Sequence, residues 1–375
     1  MTGRSTEPTS DPGPVPRATT TGMIGAGFYD ENSAPQWSAI AAVLPWIDQA
    51  VATMDLKASG GPVSIADYGC SEGGNSLKVM AHALKALRRH SQADVRRLFS
   101  DLPTNDYTSL LKALGTEGGQ NSGDPSVFSA IVPGSMYSQL CPAGSLDFAS
   151  TFNAIGFLSR RPLAQLEDYL LPNGPSKIRN HGFVSEEDRK TFARQAEADV
   201  TSFLKARAAE LKPRGKLLMQ VFGAGKSFRT CDGIYDLLND AVLDFVQAGD
   251  IRQDTYAAYY QPVYFRTVDE LIAPLTNNSD GLAALYELER SELYEVPVPF
   301  VEAYKETDDL ETYSEAYVRF FRAFTQAPLK AALNTLPAHE ALVDRIFKRA
   351  VERLKANPEH YPFRYVAVAA LLSRK

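Results

Sequence analysis

Ile65-Ala66-Asp67-Tyr68-Gly69-Cys70-Ser71-Glu72-Gly73-Gly74-Asn75 is the stretch whose reading decides the fold. Pro62 precedes a short apolar run over 63–66 that ends in Asp67-Tyr68-Gly69 and reads as a buried strand. A glycine-rich turn follows. Over 76–89 the apolar residues Leu77, Met80, Leu84 and Leu87 recur at helical spacing. Glycines between a strand and a helix let a ligand approach the backbone, and the helix amides favour an anion or carboxylate placed there. The glycines fall at 69, 73 and 74, which departs from the GxGxxG spacing of dinucleotide sites. An acid ahead of the first glycine suits a ligand with an ammonium group better than one with a pyrophosphate. The competing reading is that Asp67 caps a turn.

Outward from this stretch, a second strand over 95–99 runs into Ser100-Asp101-Leu102-Pro103. An acid at the carboxyl end of the next strand is where doubly wound folds hold ribose hydroxyls, so Asp101 takes that role, with a helix cap near Asn105 as the alternative. Upstream, Trp37, Ile40, Ala41, Leu44, Ile47, Val51 and Met54 predict a helix from Ser33, bent at Pro45. Downstream, the pattern predicts a helix over 107–114, a strand over 127–132 and an apolar stretch over 146–157. Ser185 then opens a long amphipathic helix closed by Pro213 and Gly215, and a strand covers 216–222. Strands alternating with helices predict an α/β fold with a parallel sheet between helices. Residues 28–255 are read as this core, with the first helix on the substrate side. Residues 256–336, rich in Tyr and Phe and holding a helix over 310–324, are read as a mostly helical cap over the sheet's ligand edge. Residues 337–375 return to the core as a helix over 343–354 and a last strand over 364–372. Residues 1–27, dominated by Thr, Ser, Pro and Gly, are read as a disordered leader whose last part folds over a ligand.

The composition excludes other classes. Of 375 residues, 39 are Lys or Arg and 45 Asp or Glu, a net charge of −6, in a chain that is 44% hydrophobic. A chain of this length buries roughly 75% of its unfolded surface. Without a basic run, no nucleic acid and no anionic membrane surface is expected as a partner. The three cysteines, Cys70, Cys141 and Cys231, form no CxxC pair, which argues against a disulfide framework or a structural zinc. No apolar run approaches the roughly 18 residues of a membrane span, so a cytoplasmic enzyme is expected. The five histidines, His82, His90, His181, His339 and His360, are scattered without metal spacing, and no metal is expected.

With these residues in view, the chain resembles the SABATH family, the S-adenosylmethionine (SAM)-dependent carboxyl and N-methyltransferases of the salicylic acid carboxyl methyltransferase type. Tyr29, Asn32, Ser33 and Gln36 resemble its amino-terminal motif, and residues 65–71 with Gly73 and Asn75 its first cofactor motif. Asp101-Leu102-Pro103 with Asn105-Asp106-Tyr107 resembles the ribose segment, and Val132-Pro133-Gly134-Ser135-Met136-Tyr137 the loop passing the adenine. Leu146, Phe148, Leu158, Ser159 and Pro162 align with the segment that meets the substrate, and 202–215 resembles the helix and turn before the fourth strand.

The resemblance implies a Rossmann-like, seven-stranded class I methyltransferase sheet with an α-helical cap, in a family that often forms homodimers. It implies SAM as cofactor, leaving as S-adenosylhomocysteine (SAH), held by Tyr29, Ser33, Asp67, Gly69, Cys70, Asn75, Asp101, Leu102, Ser135 and Met136. It implies a small-molecule carboxylic acid as substrate, with Gln36 holding the carboxylate. The family's tryptophan donor is Phe157 here, which has no N–H, and a nearby family tyrosine is Asn153, whose amide can donate instead. Phe157, Phe222, Tyr235, Tyr264 and Met136 are read as pocket wall. These departures lean the reading toward an aliphatic acid, including a bacterial fatty acid. N-methylation of a heterocycle and methylation of a salicylate- or benzoate-type acid stay open, as do an oxidoreductase on the same sheet and a binding protein without turnover. A carboxylic acid is already ionised at neutral pH, so no general base is expected.

Overall fold

The computed structural model describes residues 23–25, 27–56, 61–116, 124–179, 181–277 and 280–375. In chain order, α1 (Phe28–Glu31) and α2 (Ala34–Thr53) precede β1 (Val63–Tyr68), α3 (Gly74–Arg88), β2 (Val95–Ser100), α4 (Thr108–Thr116), β3 (Val127–Ile131) and β4 (Leu146–Phe152). After a 3₁₀ turn (Ala154–Gly156) come α5 (Glu186–Glu210), β5 (Leu211–Phe222), α6 (Ile234–Gln247), α7 (Gln253–Ala258), α8 (Val268–Thr276) and α9 (Leu282–Leu285). β6 (Tyr286–Val296), α10 (Pro299–Thr307), α11 (Leu310–Leu333), α12 (His339–Ala356) and β7 (Tyr365–Arg374) complete the order.

One seven-stranded sheet runs in the order β3-β2-β1-β4-β5-β7-β6. β7 is antiparallel to both neighbours, while the pairs from β3 to β5 are parallel. Successive residues point to opposite faces. Ile65, Phe99 and Leu218 therefore join the core under α2 and α3, whereas Ala66, Leu98 and Leu217 join the core under α5 and α8. All six positions of β1 are buried, as a parallel strand covered on both sides requires. Burying one large apolar side chain contributes about 1.5–3 kcal/mol, so the two faces together drive the layering. A third cluster joins α6, α11 and α12 with the loops around Leu170 and Tyr259, and forms the roof over the strands' carboxyl ends.

Two expectations need correction. α5 stops at Glu210, and Pro213 and Gly215 lie inside β5 instead of closing the helix. Ser185 does cap α5, its hydroxyl accepting from the Asp188 amide. The segment 256–336, read as a mostly helical cap, contains β6, which pairs with β7 and extends the sheet. Its Glu-rich sequence and largely exposed side chains are those of an edge strand, which charges protect from pairing with another chain. The expected leader lies outside the described residues at 1–22 and 26. Its end does not: the Ile24 amide donates to the Ala323 carbonyl of α11 at 3.3 Å.

Candidate active site

The register brings the carboxyl ends of β1, β2 and β4 level, with Asp67 opposite Phe99 and Ser150. The chain's winding reverses between β1 and β4, which is where an open α/β sheet leaves its crevice. Three turns enter it: residues 69–73 after β1, Asp101 after β2 and Asn153 after β4.

The first turn is stitched to the second. The Gly69 and Cys70 amides donate to the Ser100 carbonyl at 2.7 and 3.0 Å. The Asp101 carboxylate accepts from the Ser71 amide and from the Leu102 amide, each at 2.7 Å. Asn105 Nδ2 donates to the Ser71 carbonyl at 2.8 Å. Gly69, at φ +89°, is required twice over: a Cβ there would lie 2.1 Å from Ala154 Cβ, so only glycine lets this turn press on the 3₁₀ turn.

Glu72, buried in the same turn, has a role the sequence reading missed. Its carboxylate accepts from the amides of Gly27, Tyr29 and Asp30, while Asp30 in return accepts from the Gly74 amide at 3.1 Å. A buried acid inside a glycine turn was the available signal, since it needs donors from somewhere. These bonds hold Tyr29 over the crevice.

A cavity of about 340 Å³ occupies the crevice. At one end it is lined by Tyr29, Gly69, Ser71, Asp101, Leu102, Ser135 and Met136, and further in by Gln36, Asn153, Phe157, Phe222 and Tyr235. Phe265, Phe320 and Phe324 close it from the roof. Phe222 packs against Phe265 at 4.4 Å between ring centres, with Phe157 edge-on at 6.3 Å. Asp101 is the only charged residue among the described residues that line it. Neither end of the Gln36 amide has a hydrogen-bond partner among the described residues, and its Oε1 is buried.

The remaining predicted residues lie off the cavity wall. Asp67 sits beneath the turn, accepting from Ser76 Oγ at 2.5 Å and Ser150 Oγ at 2.8 Å. Burial pushes its carboxyl up to about 6, against the two hydroxyls that pull it down. Burial likewise raises Asp101, opposed by its two backbone donors. Asn75 Nδ2 donates to Ser33 Oγ at 3.2 Å, joining α3 to α2. Cys70 turns its buried thiol toward the Ser71 carbonyl, and burial raises its pKa well above the usual thiol range. Tyr264 was read as pocket wall; its hydroxyl instead donates to Glu270 at 2.6 Å, outside the cavity lining. Among the described residues, no group of His, Cys, Asp and Glu is placed to hold a metal, and no helix is long and apolar enough to cross a membrane.

A far part of the chain supports the end of the cavity lined by Ser135 and Met136. Arg207 and Glu210, both fully buried, form an ion pair at 2.7 Å on α5. Arg207 also donates to the carbonyls of Met136 and Ser138 at 2.9 Å, and Glu210 accepts from the amides of Leu140 and Cys141 and from Tyr68 Oη. The loop carrying Ser135 and Met136 is thus anchored by two charges.

The sheet order with its single antiparallel strand, and a ligand crevice between β1 and β4, define the class of the SAM-dependent methyltransferases of class I fold. The SAM dependent carboxyl methyltransferase family matches residues 19–375, and the chain belongs to that family. O-methyltransferase acrG of Aspergillus aculeatus is 30% identical over 71% of this chain and 70% of its own length. Indole-3-acetate O-methyltransferase 1 of Arabidopsis thaliana is 25% identical over 88% of each chain. The match to methyltransferase LUC1 of Fusarium sp is 28% identical and spans 66% of this chain and 65% of that protein, just under two thirds of its length. Among solved structures, loganic acid methyltransferase with SAH superposes with a TM-score of 0.74 at 22% identity, covering 94% of this chain and 98% of that one. The cofactor is SAM, as the family requires.

Proposed function

We propose that this enzyme converts a carboxylic acid with an apolar body, an aliphatic acid by preference, to its methyl ester. The observation that carries the reading is the cavity itself: it runs from Asp101 to the aromatic roof and is lined by no lysine, arginine or histidine among the described residues. At the cofactor end, Asp101 is an acceptor for ribose hydroxyls, Leu102 and Met136 are apolar walls for a base, and the buried Ser71 hydroxyl lacks a partner among the described residues. This donor set fits SAM, which when bound supplies a methyl group on a positively charged sulfur.

The chain's residues then have three tasks. Gln36 holds the acid through its amide N–H, and its buried Oε1 has no partner among the described residues. Phe157, Phe222 and Tyr235 align the apolar body and exclude water, which strengthens attraction between opposite charges and keeps the reacting groups at near-attack distance. No side chain has to take a proton, because an acid of pKa about 4 to 5 is already an anion at neutral pH. The relatives named for indole-3-acetate and loganic acid support the acid class, and Phe157 without a donor supports an aliphatic body.

A panel of octanoate, laurate, benzoate, indole-3-acetate and purine-type amines, each assayed with labelled SAM, tests the reading. Methyl esters from the aliphatic acids are expected. Label on an amine and on no acid would overturn it. Gln36→Ala should raise the acid's KM about 10-fold or more, the value of a hydrogen bond to a charged group, with SAM affinity unchanged.

A further inference from the structure

Asn153 begins the 3₁₀ turn after β4 at φ +63°, a left-handed conformation uncommon for residues with a side chain and best tolerated by asparagine. Its Oδ1 accepts two hydrogen bonds, from Tyr365 Oη at 3.1 Å and from the Phe222 amide at 3.2 Å. A backbone N–H can only donate, so the oxygen is fixed on the side of β5 and β7, and Nδ2 is fixed on the other. Nδ2 has no acceptor among the described residues, and Asn153 lines the cavity beside Phe157. The amide N–H pair therefore lies on the side away from β5 and β7, next to Phe157, whose ring has no donor.

We propose that Tyr365, the first residue of β7, is a positioning residue for substrate binding: with the Phe222 amide it locks the Asn153 side chain so that Nδ2 donates to the substrate carboxylate. This rests on the carboxyl-methylation reading. Tyr365 is itself buried at the start of β7, between β5 and β6, so its ring cannot swing away. The lock explains why an asparagine suffices. An amide free to turn over would offer the carboxylate its oxygen as often as its nitrogen. One hydroxyl and one main-chain amide remove that choice before any acid arrives. The device selects for an anion, since a neutral ligand gains less from a donor than a carboxylate does.

The test uses the full chain and the best acid of the panel above as probe: calorimetry of the acid with SAH bound, and KM and kcat with SAM as methyl donor. Tyr365→Phe keeps the ring and removes one donor; it should raise the acid's Kd and KM about 3- to 10-fold, as loss of one hydrogen bond does, with kcat and SAM affinity unchanged. Asn153→Gly keeps the backbone conformation and removes the amide; it should raise the acid's Kd about 10-fold or more. In the Asn153→Gly background, Tyr365→Phe should add nothing, because its effect passes through an amide no longer there. An equal effect of Tyr365→Phe in both backgrounds, or no effect on the acid's Kd in either, overturns the proposal while ester formation by the unmodified enzyme leaves the reading of function standing. If the unmodified enzyme esterifies no acid, both fall. Should Asn153→Gly fail to fold, Asn153→Asp keeps both acceptor contacts and loses the donor, and unchanged acid affinity in that variant overturns the proposal equally.

Discussion

Asp67 and Asp101 are neighbouring acids with different environments, and the difference has consequences at the level of single residues. Asp67 has its carboxyl raised to about 6 by burial. A raised folded-state pKa means that the folded chain binds this proton more tightly than the unfolded one, so the group's contribution to stability falls as pH rises from about 4 to about 6. The sequence resemblance puts the cationic amino-acid end of SAM on the turn above Asp67, and a cation placed there favours the ionised form. SAM affinity should therefore increase as pH rises through about 6, and calorimetry on Asp67→Asn should show that dependence gone. Asp101→Ala should weaken SAM binding about 10-fold or more, since it removes an anionic acceptor that also holds the Ser71 and Leu102 amides. Both acids were legible in the sequence because each stands at a strand end beside a turn. Tyr365 and Glu72 were not. Their partners are far along the chain, Asn153 for one and residues 27–30 for the other, and no local spacing reports a bond of that range.

At the scale of elements, the loop between β3 and β4 is held by the buried Arg207–Glu210 pair on α5. Removing one partner strands the other charge in the core, which typically costs about 3–5 kcal/mol. Glu210→Ala should lower stability by about that amount in urea unfolding, and weaken SAM binding as the Leu140 and Cys141 amides lose their acceptor and Arg207, which holds the Met136 carbonyl, loses its partner; unchanged SAM affinity in the folded variant would show that the pair serves stability alone. The nucleotide turn, α2, α3 and β2 were readable from apolar spacing and glycines because the physics that forms them is local. β6 was not readable. It lies at the sheet's edge with Glu287, Glu289, Glu292 and Glu295 along it, so it lacks the apolar run that marks a buried strand. The end of α5 was misread for a related reason: Pro213 is at home in β5 beyond the reach of the ladder to β7, whose pairing begins at Lys216.

At the scale of the whole molecule, β7 ties the last residues of the chain between β5 and β6, while Ile24 meets α11 from the other terminus. Sheet, N-terminal segment and helical roof line one cavity, and among the described residues its lining holds the Gln36 and Asn153 amides and no lysine, arginine or histidine. A guest that is already ionised needs no base there, and the quiet histidines are consistent with that chemistry. The most direct measurement offers the enzyme SAM carrying a deuterated methyl group together with a mixture of free carboxylic acids, and follows the products by mass spectrometry. The account predicts a deuterated methyl ester and SAH in equal amounts. Bound SAM with no ester from any acid, or deuterated methyl found only on nitrogen, would contradict it.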